Sequence, residues 1–342
     1  MTRRGLTLLL ASVLALGLAA AGSFATVPYV ALKPGPACNT LSTCYGEPVL
    51  SFSPDRGQQR SGALQLTTVS VQDHLTLFEA LAGWLSPSDA ILPREVVFAP
   101  DKTTEQNNQE NAQQMVDSQD AATTAAMTYL GYKGTKTLLV SAVTEGAPAD
   151  GKLRPGDQLV TIDGTKVTDA DQLRKLISGR AVGEAVRVGY LRGGKPGAVT
   201  IVTTAAPDDS KRAIVGITPG LRTEFDIKVD IRLKDVGGPS AGLMFALGIV
   251  DELGPIDLTG GLNVAGTGEI DDKGNVGAIG GIAQKMRGAK AQGATVFLSP
   301  ADNCAEAKAT KPSGITLVKV STLRSALDAL AELRDHGTPP QC

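Results

Sequence analysis

The spacing of apolar positions changes several times along this chain, and each change marks an element. Gly5 to Leu32 carries no charged residue and follows Arg3 and Arg4. A bilayer span needs about 20 apolar residues, whereas the apolar core of a secretory signal has about 7–15. The length favours an uncleaved signal anchor or transmembrane helix over residues 1–32, although small residues at 19–26 would also permit cleavage. The arginines put that end in the cytoplasm and the body of the protein outside. Residues 33–60, rich in Pro, Gly and Ser, read as an extracytoplasmic linker. Ala63 to Val71 predicts a strand, His74 to Leu85 an apolar helix, and Thr104 to Leu130 a longer helix that turns from polar to apolar.

A run of short elements follows. Thr137 to Val143 is a strand, GAPADGKLRPGDQLVTIDGTKV is rich in turns, Asp169 to Ile177 is a helix, and AVRVGYLR and GAVTIVTTA are strands. After a further strand, FDIKVDIRL from Phe225, comes VGGPSAGLMFALGIVDEL, Val236 to Leu253. Its Leu243, Met244, Phe245, Leu247, Ile249 and Val250 fall on every side of a helix, which marks a helix buried all round. Ser240 lies at the mouth of that helix. There the free N–H groups of Gly238, Ser240 and Ala241 and the positive end of the dipole could hold an oxyanion. The plainer reading makes Ser240 a helix N-cap after a Gly-Pro turn. A helix over Ile282 to Gln292 carries Lys285, whose neighbours one turn away are Gly281, Ile282, Gly288 and Ala289. A lysine on a small, apolar face is desolvated, which lowers its pKa towards that of a usable base. Val296 to Leu298 and Ile315 to Val320 are strands, and Thr322 to Leu333 is an amphipathic helix.

Composition narrows the function. The 342 residues suffice for two domains, and 42% hydrophobic residues describe a globular chain. A net charge of −2 and 4% aromatic residues give no footprint for nucleic acid. Four cysteines, none in a Cys-x-x-Cys pair, and two histidines argue against a metal site, so no cofactor is expected. In an exported chain the even cysteine count suggests disulfides. Cys38–Cys44 and Cys304–Cys342 form the most economical of the three pairings. Gly146 to Lys152 fits the spacing of a phosphate loop, but Leu153 stands where a Ser or Thr would ligand magnesium, so no ATP site is expected. A Ser-His-Asp triad would need His74 or His336, both in polar surroundings.

Four ordered motifs carry a resemblance. GPSAG at Ser240, TGE at Thr267, GAIGGIAQK ending at Lys285, and ATVFLSPADN resemble the proteolytic domain of the Lon proteases. The resemblance implies Ser240 as nucleophile, Lys285 as its general base and Thr267 as the lysine's hydrogen-bond partner. The Met115-Val116-x-Ser118-x-x-Ala121-Ala122 pattern is similar, more loosely, to that domain's first long helix. Lon enzymes usually carry an acidic residue three positions before the serine. Here that position is Gly237, with Asp235 two residues further back. The intervening Ala-Pro-Ala, Leu153-x-Pro-Gly-Asp157 and Ile162-Asp163-Gly164 resemble a PDZ domain, whose carboxylate-binding loop would fall between Leu130 and Leu138.

The expected architecture is an α/β (α+β) Lon-type proteolytic domain split by an inserted β-rich PDZ domain, behind an N-terminal transmembrane anchor. Its parts are 61–132 and 207–336 for the proteolytic domain, 133–206 for PDZ and 337–342 for a C-terminal tail. The function this implies is an ATP-independent, membrane-tethered serine endopeptidase with polypeptide substrates, and a homo-oligomer is compatible with it. The alternative is a catalytically silent PDZ scaffold that binds exported proteins.

Overall fold

A computed structural model describes residues 3–55, 58, 60–98, 102–234 and 236–342. The chain packs as two compact units, Met1–Gly131 with Val229–Cys342, and Tyr132–Lys228.

In the first unit, α1 (Arg3–Phe24) is long and apolar enough to cross a membrane, and Gly22 is its only buried residue among those described. The expected anchor ran to residue 32, but the helix stops at Phe24 and the chain enters β1 (Tyr29–Asn39). Residues 33–39 are therefore no tether. Pro34, Gly35 and Pro36 look like loop residues, yet a register shift between Pro34 and Ala37 lets β1 stay paired with β2 (Ala63–Gln72) through them. Thr76 and Glu79 form a capping box that starts α2 (Leu77–Leu85), and β3 (Ala90–Pro93) pairs with β1. Thr103 and Gln106 start α3 (Thr104–Tyr129) in the same way.

The second unit is an antiparallel sheet. Its strands are β4 (Thr135–Val143), β5 (Gln158–Ile162), β6 (Ala185–Arg192), β7 (Lys195–Val202) and β8 (Ile217–Glu224), in spatial order β7-β6-β5-β4-β8. Helix α4 (Ala170–Ser178) buries Leu173 and Ile177 in its core, and Asp169 caps it. The Asp157 of the Leu-x-Pro-Gly-Asp segment is buried and takes two 2.7 Å hydrogen bonds from Arg192. The sequence placed the end of this domain at Ala206. The compact unit continues to Lys228 because β8 pairs with β4 from Ile217↔Val143 to Glu224↔Thr135. FDIKVDIRL forms a strand only over Lys228–Ile231.

The first unit resumes with α5 (Gly242–Leu253), β9 (Asn263–Gly266), α6 (Ile282–Ala291), β10 (Val296–Pro300), β11 (Thr316–Val320) and α7 (Leu323–Arg334). Its sheet runs β11-β10-β9-β2-β1-β3, parallel from β11 to β2 and antiparallel beyond. Helix α5 is buried along Gly242–Asp251, as its unbroken apolar pattern predicts. It packs against β2 and along α3, which buries Met115, Ser118, Ala122 and Ala125. Helix α6 crosses β1 so closely that a side-chain carbon on Gly288 would meet the Gly35 carbonyl at 2.7 Å. The Cys38–Cys44 and Cys304–Cys342 pairs are bonded. The expected C-terminal tail is tied to the sheet as well, since Lys319 N–H donates to Pro340 O at 2.9 Å.

Candidate active site

Ser240 stands two residues before α5. The N-cap position belongs to Ala241, which makes no side-chain cap, so the Ser240 hydroxyl is not consumed in capping the helix. The approach to it is set by Gly238, whose φ of +81° suits glycine and whose N–H donates to Asn111 O on α3 at 2.9 Å. Ser118 Oγ donates to Pro239 O at 2.9 Å and fixes the next residue. The Gly238 amide, expected as an oxyanion donor, is therefore already committed. Among the described residues, neither the Ser240 nor the Ala241 N–H donates to another group.

Lys285 projects from the first turn of α6 and is 3% exposed. Burial lowers its pKa from the ordinary 10.5 to about 8, against the opposing pull of Glu269. Its Nζ donates to Thr267 Oγ1 at 3.1 Å, and Thr267 Oγ1 donates to Ser240 O at 3.0 Å. Thr267 is fully buried and also lies close to β10 through a bond from its N–H to Leu298 O. A second tie runs from Gly268 N–H to Ser240 O at 2.9 Å. The TGE segment thus joins the lysine's helix to the serine's backbone. No hydrogen bond joins Lys285 to Ser240 directly among the described residues.

Ser240, Ala241 and Lys285 line one open cleft of about 410 Å³, together with Gly237, Pro239, Glu269 and Gly280. Met115 from α3, Pro36 from β1 and Thr67–Ser70 from β2 complete its walls with Tyr45. Asn303 shapes its edge by accepting from Ile279 N–H at 2.8 Å and donating to Ile279 O at 2.9 Å. Neither His74 nor His336 lines the cleft, and the His74 side chain is 79% exposed. Asp235 lies outside the described residues. Asn111, Glu269 and Tyr45 were missed in the sequence. Glu269 alone carried a signal, as the acid of TGE, whereas Asn111 and Tyr45 reach the site only through tertiary packing.

The small unit has a hollow of its own, about 260 Å³, between α4 and β8. Leu173, Ile177, Ile214, Val215, Ile217 and Pro219 line it with Arg174 and Arg212. The expected carboxylate loop between Leu130 and Leu138 is not part of that lining. Gly131 turns there with φ +83°, and the chain passes directly into β4. Gly146 to Lys152 is a series of turns with no helix after it, unlike a phosphate loop.

The family model of the Lon protease (S16) C-terminal proteolytic domain matches residues 209–330, and that of the PDZ domain matches residues 109–203. The chain carries a Lon-type proteolytic domain and a PDZ domain. The chain is 38% identical over 117 residues to Lon protease 2 of Bacillus subtilis, covering 33% of this chain and 20% of that protein. It is 38% identical over 116 residues to Lon protease 1 of Sorangium cellulosum, covering 33% of this chain and 14% of that one. A probable periplasmic serine endoprotease DegP-like of Bartonella henselae is 28% identical over 80 residues, 23% of this chain and 16% of its own. The chain thus spans at most 20% of the length of these relatives. Among solved structures, the PDZ domain of an SdrC-like protein from Listeria monocytogenes is 27% identical, covering 24% of this chain and 86% of that one, with a TM-score of 0.23.

Proposed function

We propose that this protein is an ATP-independent serine endopeptidase, held to the membrane by α1, that cleaves exported or membrane polypeptides brought to it by its PDZ domain. The observation that carries the reading is the Thr267 link. It ties a buried lysine of lowered pKa to the backbone of a serine with an unspent hydroxyl, in one open cleft.

In this reading the neutral Lys285 amine takes the proton from Ser240 Oγ, and the oxygen attacks a substrate carbonyl. The Ser240 and Ala241 N–H groups at the start of α5 hold the oxyanion, helped by the helix dipole. The Lys285 ammonium returns its proton to the departing amine, and a water deprotonated by Lys285 then hydrolyses the acyl-serine. Thr267 keeps the amine beside the serine through both steps. The apolar hollow between α4 and β8 suits an extended peptide segment, with β8 as the sheet edge to which it adds.

The test is degradation of an unfolded protein by the full chain in detergent, beside Ser240→Ala. Cleavage lost in that variant supports the endopeptidase. Equal and negligible cleavage by both, with the substrate still bound, would favour the silent PDZ scaffold.

A further inference from the structure

Helix α2 is built inside out for a protein in water. Its small residues Ala80 and Gly83 are buried, facing Ala31, Leu75 and Ile91, whereas its large apolar residues face outward. Leu77 is 41% exposed, Phe78 45%, Leu81 42%, Trp84 57% and Leu85 87%. At the α-helical spacing these five side chains share one face about 120° wide. Glu79, the only charged residue of the helix, lies on the other side, its carboxylate drawn back to the Thr76 N–H at 2.8 Å and Oγ1 at 2.9 Å.

The location of this face says what covers it. Leu77 N–H donates to Ala25 O at 3.0 Å, one residue beyond the end of α1. The chain leaving α1 pairs at once with the chain entering α2, Thr26↔Thr76 and Val27↔Leu75. Gly22 of α1 lies against the Phe78 ring, where an added side-chain carbon would come within 2.9 Å. The 22 residues of α1 span about 33 Å, close to the hydrocarbon thickness of a bilayer, so its C-terminal end comes out at the membrane surface. The apolar surface of α1 therefore continues into that of α2 at headgroup height. Trp84, edge-on to Tyr29 at 5.7 Å between ring centroids, is the residue type that favours this depth.

We propose that α2 is an interfacial helix whose Leu77–Leu85 face inserts into the headgroup–acyl boundary of the bilayer spanned by α1. The partner is lipid, and the attraction is apolar, because α2 carries no basic residue for anionic headgroups. The proposal rests on the reading of α1 as a membrane span.

Trp84 is the only tryptophan of the chain, which makes the test direct. The full chain is placed in phosphatidylcholine nanodiscs, with or without lipid brominated near the headgroup end of its acyl chains. Brominated lipid should remove most of the Trp84 emission, and aqueous iodide should remove little. In Leu81→Glu/Leu85→Glu, which keeps Trp84, the bromine effect should disappear and iodide should quench. Emission untouched by bromine overturns the proposal, whether iodide quenches (the face is in water) or fails to quench (a protein, such as a second copy, covers it). Bromine quenching that persists in the double variant also overturns it. Alkaline extraction of vesicles separates the premise from the inference. A released chain overturns the span and the proposal with it, while a retained chain with unquenched Trp84 overturns the proposal alone.

Discussion

Replacing Lys285 by methionine should stabilise this protein at neutral pH, a result opposite to that of most substitutions of buried residues. Methionine has nearly the same length and flexibility, so the site stays filled. The lysine's pKa falls from 10.5 to about 8 on folding, because burial disfavours its charged form. At about 1.4 kcal/mol per pH unit, that gap is a cost of about 3 kcal/mol to the folded state. The folded value lies below the unfolded one, so between about 8 and 10.5 the unfolded chain binds more protons and stability rises with pH. The full cost is present below about 8 and is gone above 10.5. Methionine also forfeits the hydrogen bond to Thr267, worth about 1 kcal/mol. Lys285→Met should therefore be more stable than the wild type by about 2 kcal/mol at pH 7 and less stable by about 1 kcal/mol above pH 10.5. The assay is urea unfolding of the first unit read by pulse proteolysis, where the gain at pH 7 is a midpoint shift of roughly 1 M. A variant less stable than the wild type at pH 7, or a gain that does not shrink between pH 8 and 10.5, would mean that the buried lysine does not burden the fold with its charge.

Other outcomes follow from the same contacts. Thr267→Val removes both bonds of the link and should lower kcat on a fluorogenic peptide by about tenfold or more with little change in KM, whereas Thr267→Ser should keep most of the rate. Gly237→Asp, which restores the acidic residue usual in Lon enzymes, would bring its Cβ within 2.9 Å of the Asn111 Cβ. It should cost about 1–3 kcal/mol in urea unfolding, and Asn111→Gly should relieve part of that cost. Cys304→Ser/Cys342→Ser opens a loop closed across 38 residues, and the urea midpoint should fall by the equivalent of about 4 kcal/mol.

The site was more legible in the sequence than its walls were. GPSAG with the buried apolar run after it, and the Lys285 helix with its small neighbours, carried local signals, whereas TGE was read only through the resemblance to Lon proteases. The resemblance implied Thr267 only as the partner of Lys285, and its bond to Ser240 O was not expected from the sequence. What failed was long-range. Pro34-Gly35-Pro36 carries the composition of a loop, and only pairing with β2 and the crossing of α6 make it strand. The N-cap reading of Ser240 failed by one residue, because the turn after Pro239 places Ala241 at the cap. The PDZ and Lon-type family models end and begin at 203 and 209, on either side of the expected boundary at Ala206, yet the compact unit runs on to Lys228, because Ile217 to Glu224, whose alternation is weak, pairs with β4 about 75 residues away.

Peptide hydrolysis against pH by the wild type, Ser240→Ala and Lys285→Arg decides whether Lys285 acts as a neutral base for Ser240. With a pKa of about 8, roughly a tenth of the lysine is neutral at pH 7, against about 0.03% for an ordinary lysine. The wild-type rate should climb about tenfold per pH unit up to about 8 and then level off, while a folded Lys285→Arg should be as inactive as Ser240→Ala, since arginine cannot give up its proton. A folded Lys285→Arg enzyme that keeps most of its activity, or a wild-type rate flat from pH 6 to 9, would contradict that role.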